Sequence, residues 1–501
     1  MEATYNWQRS SVASVDKKYD ATAEPLPVAT VVNQTMSEPG KSFLPDEAAG
    51  TGEQTPAGPA SDVTIPPLFA RFRRSLRNRA SARLPETMRD AQHVIRLCGV
   101  MLSERGDVSG VRLAGEALAA YQALDPTARD AFFELLSGSF LPDPKFVAAA
   151  AIAYQREPSA GTLSRLQAAV ESPRQELFRR LNLARGGIAV LMNMRRGLLE
   201  TLDRHPNRSV IDADLASLFR TWFNGGFLVL KRIDWRTSAV VLERLIQYEA
   251  VHQIQGWDDL RRRLEADRRC YAFFHPALPD EPLIFIEVAL TRGLGARVQP
   301  LLDPGSPVVN PGVADCALFY SITNCQDGLR GISLGNLLIK QVVEDLERSF
   351  PRLRMFATLS PIPGFRKWLT GVLSEPTAAP SRLARLRDSL DGQEAPPAIA
   401  PSLQNDLMRL CAYYLLHAKQ GKAPIDPVAR FHLANGAQLH RLNWMGDTSE
   451  AGMRRSFGIM ANYMYRMSDL ERNYEAYTRD YTIASSSDIT RLARRSPASP
   501  P

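Results

Sequence analysis

The sequence predicts an α+β protein in which an all-helical bundle precedes a domain of mixed strands and helices. Apolar residues recur at helical period from about residue 86 to residue 208, and after residue 224 short apolar runs of the buried-strand kind alternate with helical stretches. At 501 residues, 45% apolar and 23% charged, the chain has the composition of an ordinary folded protein and the length of two or three domains.

Residues 1–85 are rich in Pro, Ala, Ser, Thr and Glu, and cannot bury enough apolar surface to offset the entropy of ordering them. They are expected to be disordered. From residue 86 the grammar changes: Met88, Ala91, Ile95, Cys98 and Leu102 fall on one helical face. Asp125-Pro126 sets a capping side chain before a first-turn proline, and Phe132, Phe133, Leu135 and Leu136 supply the buried stripe behind it. Similar patterns at 144–155, 159–171, 173–184 and 188–203 complete a helical domain assigned to residues 86–208. The second domain is assigned to residues 209–490, with a Pro-rich surface insertion at 374–403 and a disordered tail at 491–501. Within it, Ile284–Leu290, Ala317–Ile322 and Met355–Leu359 read as strands. A helix carrying Leu334, Leu338, Val342 and Leu346 separates the last two, so those strands are expected to be joined by a crossover and to be neighbours or close to it.

Charge and cysteine usage narrow the function classes. The formal net charge is +7, but Arg71, Arg73, Arg74, Arg77, Arg79 and Arg83 account for all but one of those charges. A nucleic-acid partner would rest on that one segment, and none is expected. No run of about 18 apolar residues suggests a membrane span, and the N-terminal residues lack the apolar core of a targeting signal. The five cysteines are scattered without pairing motifs, which points to a reducing, cytoplasmic compartment.

Four segments can carry chemistry. Asn324–Gly335 (NCQDGLRGISLG) follows a strand and opens a helix, where glycines and free N–H groups make an anion site that suits a pyrophosphate or, equally, a structural turn. Gln326 and Gly331 match the spacing of the coenzyme A loop of GNAT-type acetyltransferases, with Leu329 in place of its middle glycine. Thr358–Phe365 (TLSPIPGF) places Ser360 just past a strand, in a loop stiffened by Pro361 and Pro363; the serine is either functional or a turn cap. Asp426–Trp444 concentrates His432, Asn435, His440, Arg441 and Asn443, and a histidine there is either a general acid or base or a satisfied structural group. Two histidines eight apart with no third ligand do not make a metal site. Tyr463 and Tyr465, in GIMANYMY, are core aromatics or substrate-positioning groups.

Together with EAVHQIQGWDDLRRRL at 249–264 and RRCYAFFHPALPDEPLIFIEVALTRGL at 268–294, these segments resemble the malonyl-CoA decarboxylase family from about residue 86 to residue 480. The resemblance implies a GNAT-like catalytic domain, with Ser360 and His432 as the catalytic pair. It also implies an acyl-CoA loop of Arg330, Gly331, Ile332, Ser333, Leu334, Gly335 and Asn336, and contacts from Ser321 and Tyr465. The family often has Glu where this chain has Ser333, so that acid's role does not transfer. Asn435 is expected to help orient the acyl group. Malonyl-CoA is then the substrate and acetyl-CoA the product, with no organic cofactor or metal, because the thioester carbonyl accepts the electrons released by decarboxylation. A homo-oligomer, a tetramer built through the helical domain, is implied as well. The alternatives are a GNAT-type acyltransferase, which needs an acceptor, and a non-catalytic acyl-CoA-binding protein, which needs neither Ser360 nor His432.

Overall fold

The computed structural model describes residues 85–103, 107–332, 334–374, 386 and 401–496. The segment 1–84, most of the expected insertion and the last five residues lie outside it.

Among the described residues eight α-helices come first: Glu86–Ser103, Asp107–Gln122, Pro126–Ser137, Pro144–Arg156, Ala160–Val170, Pro173–Asn182, Gly187–Leu199 and Ser209–Trp222. Local chemistry fixes several of their starts. The Asp125 and Asp143 carboxylates accept the N–H of Ala128 and Lys145 at 2.8 and 2.9 Å, each ahead of a proline that has no donor to lose. Ser159 and Thr162 form a reciprocal capping box. The helices bury Ile95, Phe132, Phe178, Leu191 and Phe219 against one another. A buried Arg174–Asp214 pair at 2.9 Å ties the loop after Ser137 to the last helix, Arg174 also donating to the Ser137 and Ser139 carbonyls. Helix continues to Trp222, beyond the expected boundary at 208, because Ile211, Leu215, Leu218 and Phe219 complete the same core.

The remainder is built on one mixed sheet, as expected for an α+β domain. Its strands are β1 (Val229–Ile233), β2 (Arg268–His275), β3 (Leu278–Thr291), β4 (Cys316–Asn324), β5 (Met355–Thr358), β6 (Ser360–Pro361), β9 (Gln438–Asn443) and β10 (Met460–Met464). A separate two-residue ribbon pairs β7 (Lys419–Gln420) with β8 (Ala423–Pro424). The sheet order is β1-β2-β3-β4-β5-β10-β6, with β9 beside β10. β4 and β5 run parallel, and the helix Gly335–Ser349 between them buries Leu338, Ile339, Val342, Val343 and Leu346, which is the crossover the sequence predicts. β3 is buried continuously from Leu283 to Leu290 because both faces of the sheet are covered.

The β4–β5 ladder ends at Phe319↔Thr358, although β4 runs on to Asn324. Beyond that point the two strands part company, and β5 is relieved by β10, which pairs with both Ala357 and Ser360. The register of β4 against β3 slips at Tyr320, so Phe319 and Ser321 face Val288 and Glu287 with one residue to spare. This opening is where the site forms. One expectation is corrected at the C-terminus: the helix Ser487–Arg494 runs past residue 490, because Ile489 and Ala493 are buried in the shared core and the helix packs on Pro401–His417.

Candidate active site

Ser360 and His432 are 72 positions apart in the sequence and in contact in the fold. Ser360 is the first residue of β6 and is held by pairing with Ala461. His432 lies in the helix Pro427–Ala434, whose start is fixed by Asp426: its carboxylate accepts the N–H of Val428 and Ala429 at 3.0 and 2.9 Å, and Pro427 occupies the first turn. That short helix buries Ala429, His432 and Leu433. The result is a Ser360 Oγ–His432 Nε2 distance of 2.9 Å.

The contact is the middle of a longer chain. The Ser360 hydroxyl donates to Thr358 Oγ1 at 2.8 Å, and the other imidazole nitrogen, Nδ1, lies 2.8 Å from the Tyr465 hydroxyl. With the serine proton directed at Thr358, the tautomer that matches carries its proton on Nε2 toward Ser360 and accepts at Nδ1 from Tyr465. Thr358 Oγ1 also accepts the Tyr463 backbone N–H at 3.2 Å, which fixes it from the neighbouring strand. The Tyr463 ring stacks on the imidazole with centroids 4.5 Å apart. All four members are buried: Thr358 at 1%, Ser360 at 5%, His432 at 3% and Tyr465 at 2% exposure. Burial pushes His432 down to about 3 and the Tyr465 hydroxyl well up, so in the empty site the ring is neutral and the phenol protonated.

Ser360 and His432 open onto a pocket of about 200 Å³. Its other walls are Phe319 to Ile322 and Asn324 of β4, Val251, Pro361, Pro427, Val428 and Phe431. Ser321 is therefore brought to the same pocket, and Tyr465 reaches it through His432. Asn435 is not: it ends the helix that carries His432 and gives its amide to the Phe431 carbonyl at 2.6 Å.

The loop after β4 starts at the pocket's edge but does not line its depth. Gly328 packs so tightly on the helix Gly187–Leu199 that a Cβ there would come 2.1 Å from the Met192 carbonyl oxygen, and Gly331 has φ +79°, so both positions require glycine. Arg195, 3% exposed, donates to the Gly328 and Arg330 carbonyls at 2.7 and 2.9 Å while pairing with Asp212 at 2.7 Å. Arg330 and Gly331 are exposed, Ile332 is half-buried and Leu334 buried. Ser333 lies outside the described residues, and Gly335 and Asn336 begin the crossover helix.

Sequence reasoning passed over Thr358, whose signal is the Thr-x-Ser spacing that puts two hydroxyls on one face of an extended segment. It also passed over Glu249, which sits behind Ser321. His440, offered beside His432 in the sequence, is not among the residues lining the pocket.

Comparison with known proteins adds an independent line. A family model described as the malonyl-CoA decarboxylase C-terminal domain matches residues 226–500, and one described as the N-terminal domain of the same family matches residues 140–223. The mitochondrial malonyl-CoA decarboxylase of Anser anser anser is 37% identical over 341 residues, covering 62% of this chain and 68% of that protein. The Rattus norvegicus counterpart is 36% identical over 356 residues, covering 66% and 72%. The crystal structure of malonyl-CoA decarboxylase from Rhodopseudomonas palustris superposes with a TM-score of 0.76 at 46% identity, over 80% of this chain and 99% of that one. The Agrobacterium vitis structure gives 0.76 at 44% identity with the same coverage.

Proposed function

The chain belongs to the malonyl-CoA decarboxylase family, and from that premise we propose that its pocket converts malonyl-CoA to acetyl-CoA and carbon dioxide. The observation that carries the reading is the 2.9 Å contact between Ser360 and His432 at the wall of a small, largely apolar pocket.

Breaking the bond to the carboxylate leaves its electron pair on the acyl carbon as an enolate, for which the thioester carbonyl is the sink. The protein must hold the carboxylate out of the thioester plane, meet the growing oxyanion and return one proton to carbon. Ser360 contacts the malonyl group, and its hydroxyl turns from Thr358 to the carbanion. As that proton leaves, the His432 Nε2 proton passes to Ser360 and the Tyr465 proton to Nδ1, so the imidazole stays neutral and the charge that leaves the enolate rests on the Tyr465 oxygen, whose burial makes it a stronger base than an ordinary phenolate. A thioester enolate is a far stronger base than a phenolate, which lets the transfer run downhill. Water restores the proton after the product has left. Ser321 borders the acyl group, and Asn435 supports the end of the helix that carries His432. The loop of Arg330, Gly331, Ile332, Ser333, Leu334, Gly335 and Asn336 holds the nucleotide end.

Purified protein incubated with malonyl-CoA and EDTA, without any acceptor, is expected to yield acetyl-CoA by mass spectrometry. Unchanged malonyl-CoA, or free coenzyme A formed only with an added amine, would sink the proposal in favour of a binding protein or an acyltransferase. Ser360→Ala and His432→Asn should each lower kcat by roughly 10²–10⁴-fold.

Two finer points belong to the same proposal. The helices Pro144–Arg156 and Ala160–Val170 pack on each other and leave Phe146, Ile152, Leu163 and Val170 exposed, which suits self-association into a tetramer. A monomer by light scattering refutes this. The five cysteines are all buried free thiols, which fits a reducing compartment such as the cytoplasm. The vertebrate relatives are named as mitochondrial, so fractionation of the native cell decides that point. Among the described residues no helix is long and apolar enough to cross a membrane.

A further inference from the structure

Behind the pocket wall lies a carboxylate that the scheme above does not use. Glu249 ends the helix Ala239–Tyr248 and is 5% exposed. Its carboxylate accepts the backbone N–H of Val251 and of His252 at 2.8 Å each. It also accepts the Ser321 hydroxyl, which reaches its two oxygens at 2.9 and 2.8 Å, and the Thr323 hydroxyl at 3.2 Å. Four donors and no acceptor converge on it, the pattern of the charged form. Val251 and Ser321 themselves line the pocket, so the carboxylate stands one side chain behind its surface.

The arrangement restricts what an acyl group meets. Ser321 has a single proton, and it is committed to Glu249; toward the pocket the hydroxyl offers lone pairs only. Among the described residues no Lys or Arg lines the pocket. A malonyl carboxylate entering it therefore finds no cation to pair with and an anion behind the nearest hydroxyl. Ser321 and Ser360 each lie two residues beyond the last paired positions, Phe319 and Thr358, on the strands that diverge, so an acyl group in the opening lies between them.

We infer that Glu249 is a positioning residue that drives decarboxylation: it turns the Ser321 proton away from the substrate carboxylate and sets negative charge behind it, raising the energy of the group that departs. The inference rests on the malonyl-CoA reading. In the step itself the carbon–carbon bond breaks, the carboxylate leaves as neutral carbon dioxide, and its electron pair becomes the enolate. The charge moves to the thioester oxygen, on the Ser360 side and away from Glu249. Destabilising the bound reactant more than the transition state raises kcat at the expense of substrate affinity.

Glu249→Gln keeps the shape and removes the charge. The test measures kcat and KM for malonyl-CoA, with the inhibition constant of acetoacetyl-CoA, a neutral ligand of nearly the same shape. Expected are a kcat about tenfold or more lower, a KM about tenfold lower, and an acetoacetyl-CoA constant within about twofold of wild type. A merely structural residue would not tighten one ligand and spare the other. Equal shifts for both ligands, or weaker malonyl-CoA binding, overturn the inference. Glu249 also holds two backbone N–H groups, so the variant could fail to fold. Wild-type protein then decides: its inhibition constant for acetoacetyl-CoA must lie well below its KM for malonyl-CoA, and equal or higher values overturn the inference. Wild-type protein with no turnover of malonyl-CoA at all refutes the functional reading instead.

Discussion

Replacing Thr358 by valine removes a hydroxyl that touches neither the pocket nor the imidazole, yet it should slow the reaction. Thr358 Oγ1 takes the Ser360 proton at 2.8 Å, and that leaves Ser360 Oγ free to accept from His432 Nε2 at 2.9 Å. Without it the serine proton turns to Nε2, the ring proton moves to Nδ1, and the Tyr465 hydroxyl becomes an acceptor. The whole chain then points the wrong way to deliver a proton to carbon. Restoring the productive direction costs about one hydrogen bond, 0.5–1.5 kcal/mol, so kcat should fall roughly 2- to 13-fold. KM should hardly move, since Thr358 is not part of the pocket wall. The valine also orphans the Tyr463 N–H, at a cost of about 1–3 kcal/mol in stability that a thermal melt will show. Steady-state kinetics on Thr358→Val and Thr358→Ser decide the matter. A folded valine variant with wild-type kcat, or a serine variant no better than the valine one, would refute the directional reading.

Other consequences can be checked on the same material. His432 is held at about 3, below its usual 6.5, so the unfolded chain binds a proton there that the folded one refuses. Its contribution to stability is complete above pH 6.5 and is lost as the pH falls toward 3. The stability difference between wild type and His432→Asn, from urea titrations at pH 6, 5 and 4, should shrink by up to about 1.4 kcal/mol per pH unit; a constant difference would mean that the ring is already charged. Arg195→Met releases the Gly328 and Arg330 carbonyls, and if the loop holds coenzyme A the KM for malonyl-CoA should rise about tenfold with little change in kcat. An unchanged KM would remove the loop from substrate binding. Paired Phe146→Glu and Ile152→Glu changes should lower the mass seen by light scattering without lowering kcat per active site.

Elements with strong local grammar were legible in the sequence. Asp125-Pro126 and Asp426-Pro427 announce helix starts because the cap and the missing donor are both local facts. The crossover between β4 and β5 follows from an apolar helix set between two apolar runs. Ser360 and His432 could be singled out as a loop serine and a helical histidine. Their contact was expected only from the family resemblance and not from any local pattern, because it is made by β10, which holds β6 by Ala461 and carries on to Tyr465. Long-range pairing has no local signature, and the same holds for Glu249, a helix-terminal acid until β4 brings Ser321 and Thr323 against it. Asn435 shows the converse: an amide in a polar stretch reads as functional, but the adjacent carbonyl of Phe431 claims it.

The row of groups from Tyr465 to Thr358 is closed at both ends, and only Ser360 and His432 border open space. On the proposed relay, a proton spent on the substrate has no rear entrance by which to be replaced. Recharging must use the same doorway as the departing thioester, so each visit is served by a hydrogen acquired before the ligand arrived. In a sudden switch from light to heavy water, the first methyl group made should carry the isotope of the old solvent and later ones that of the new.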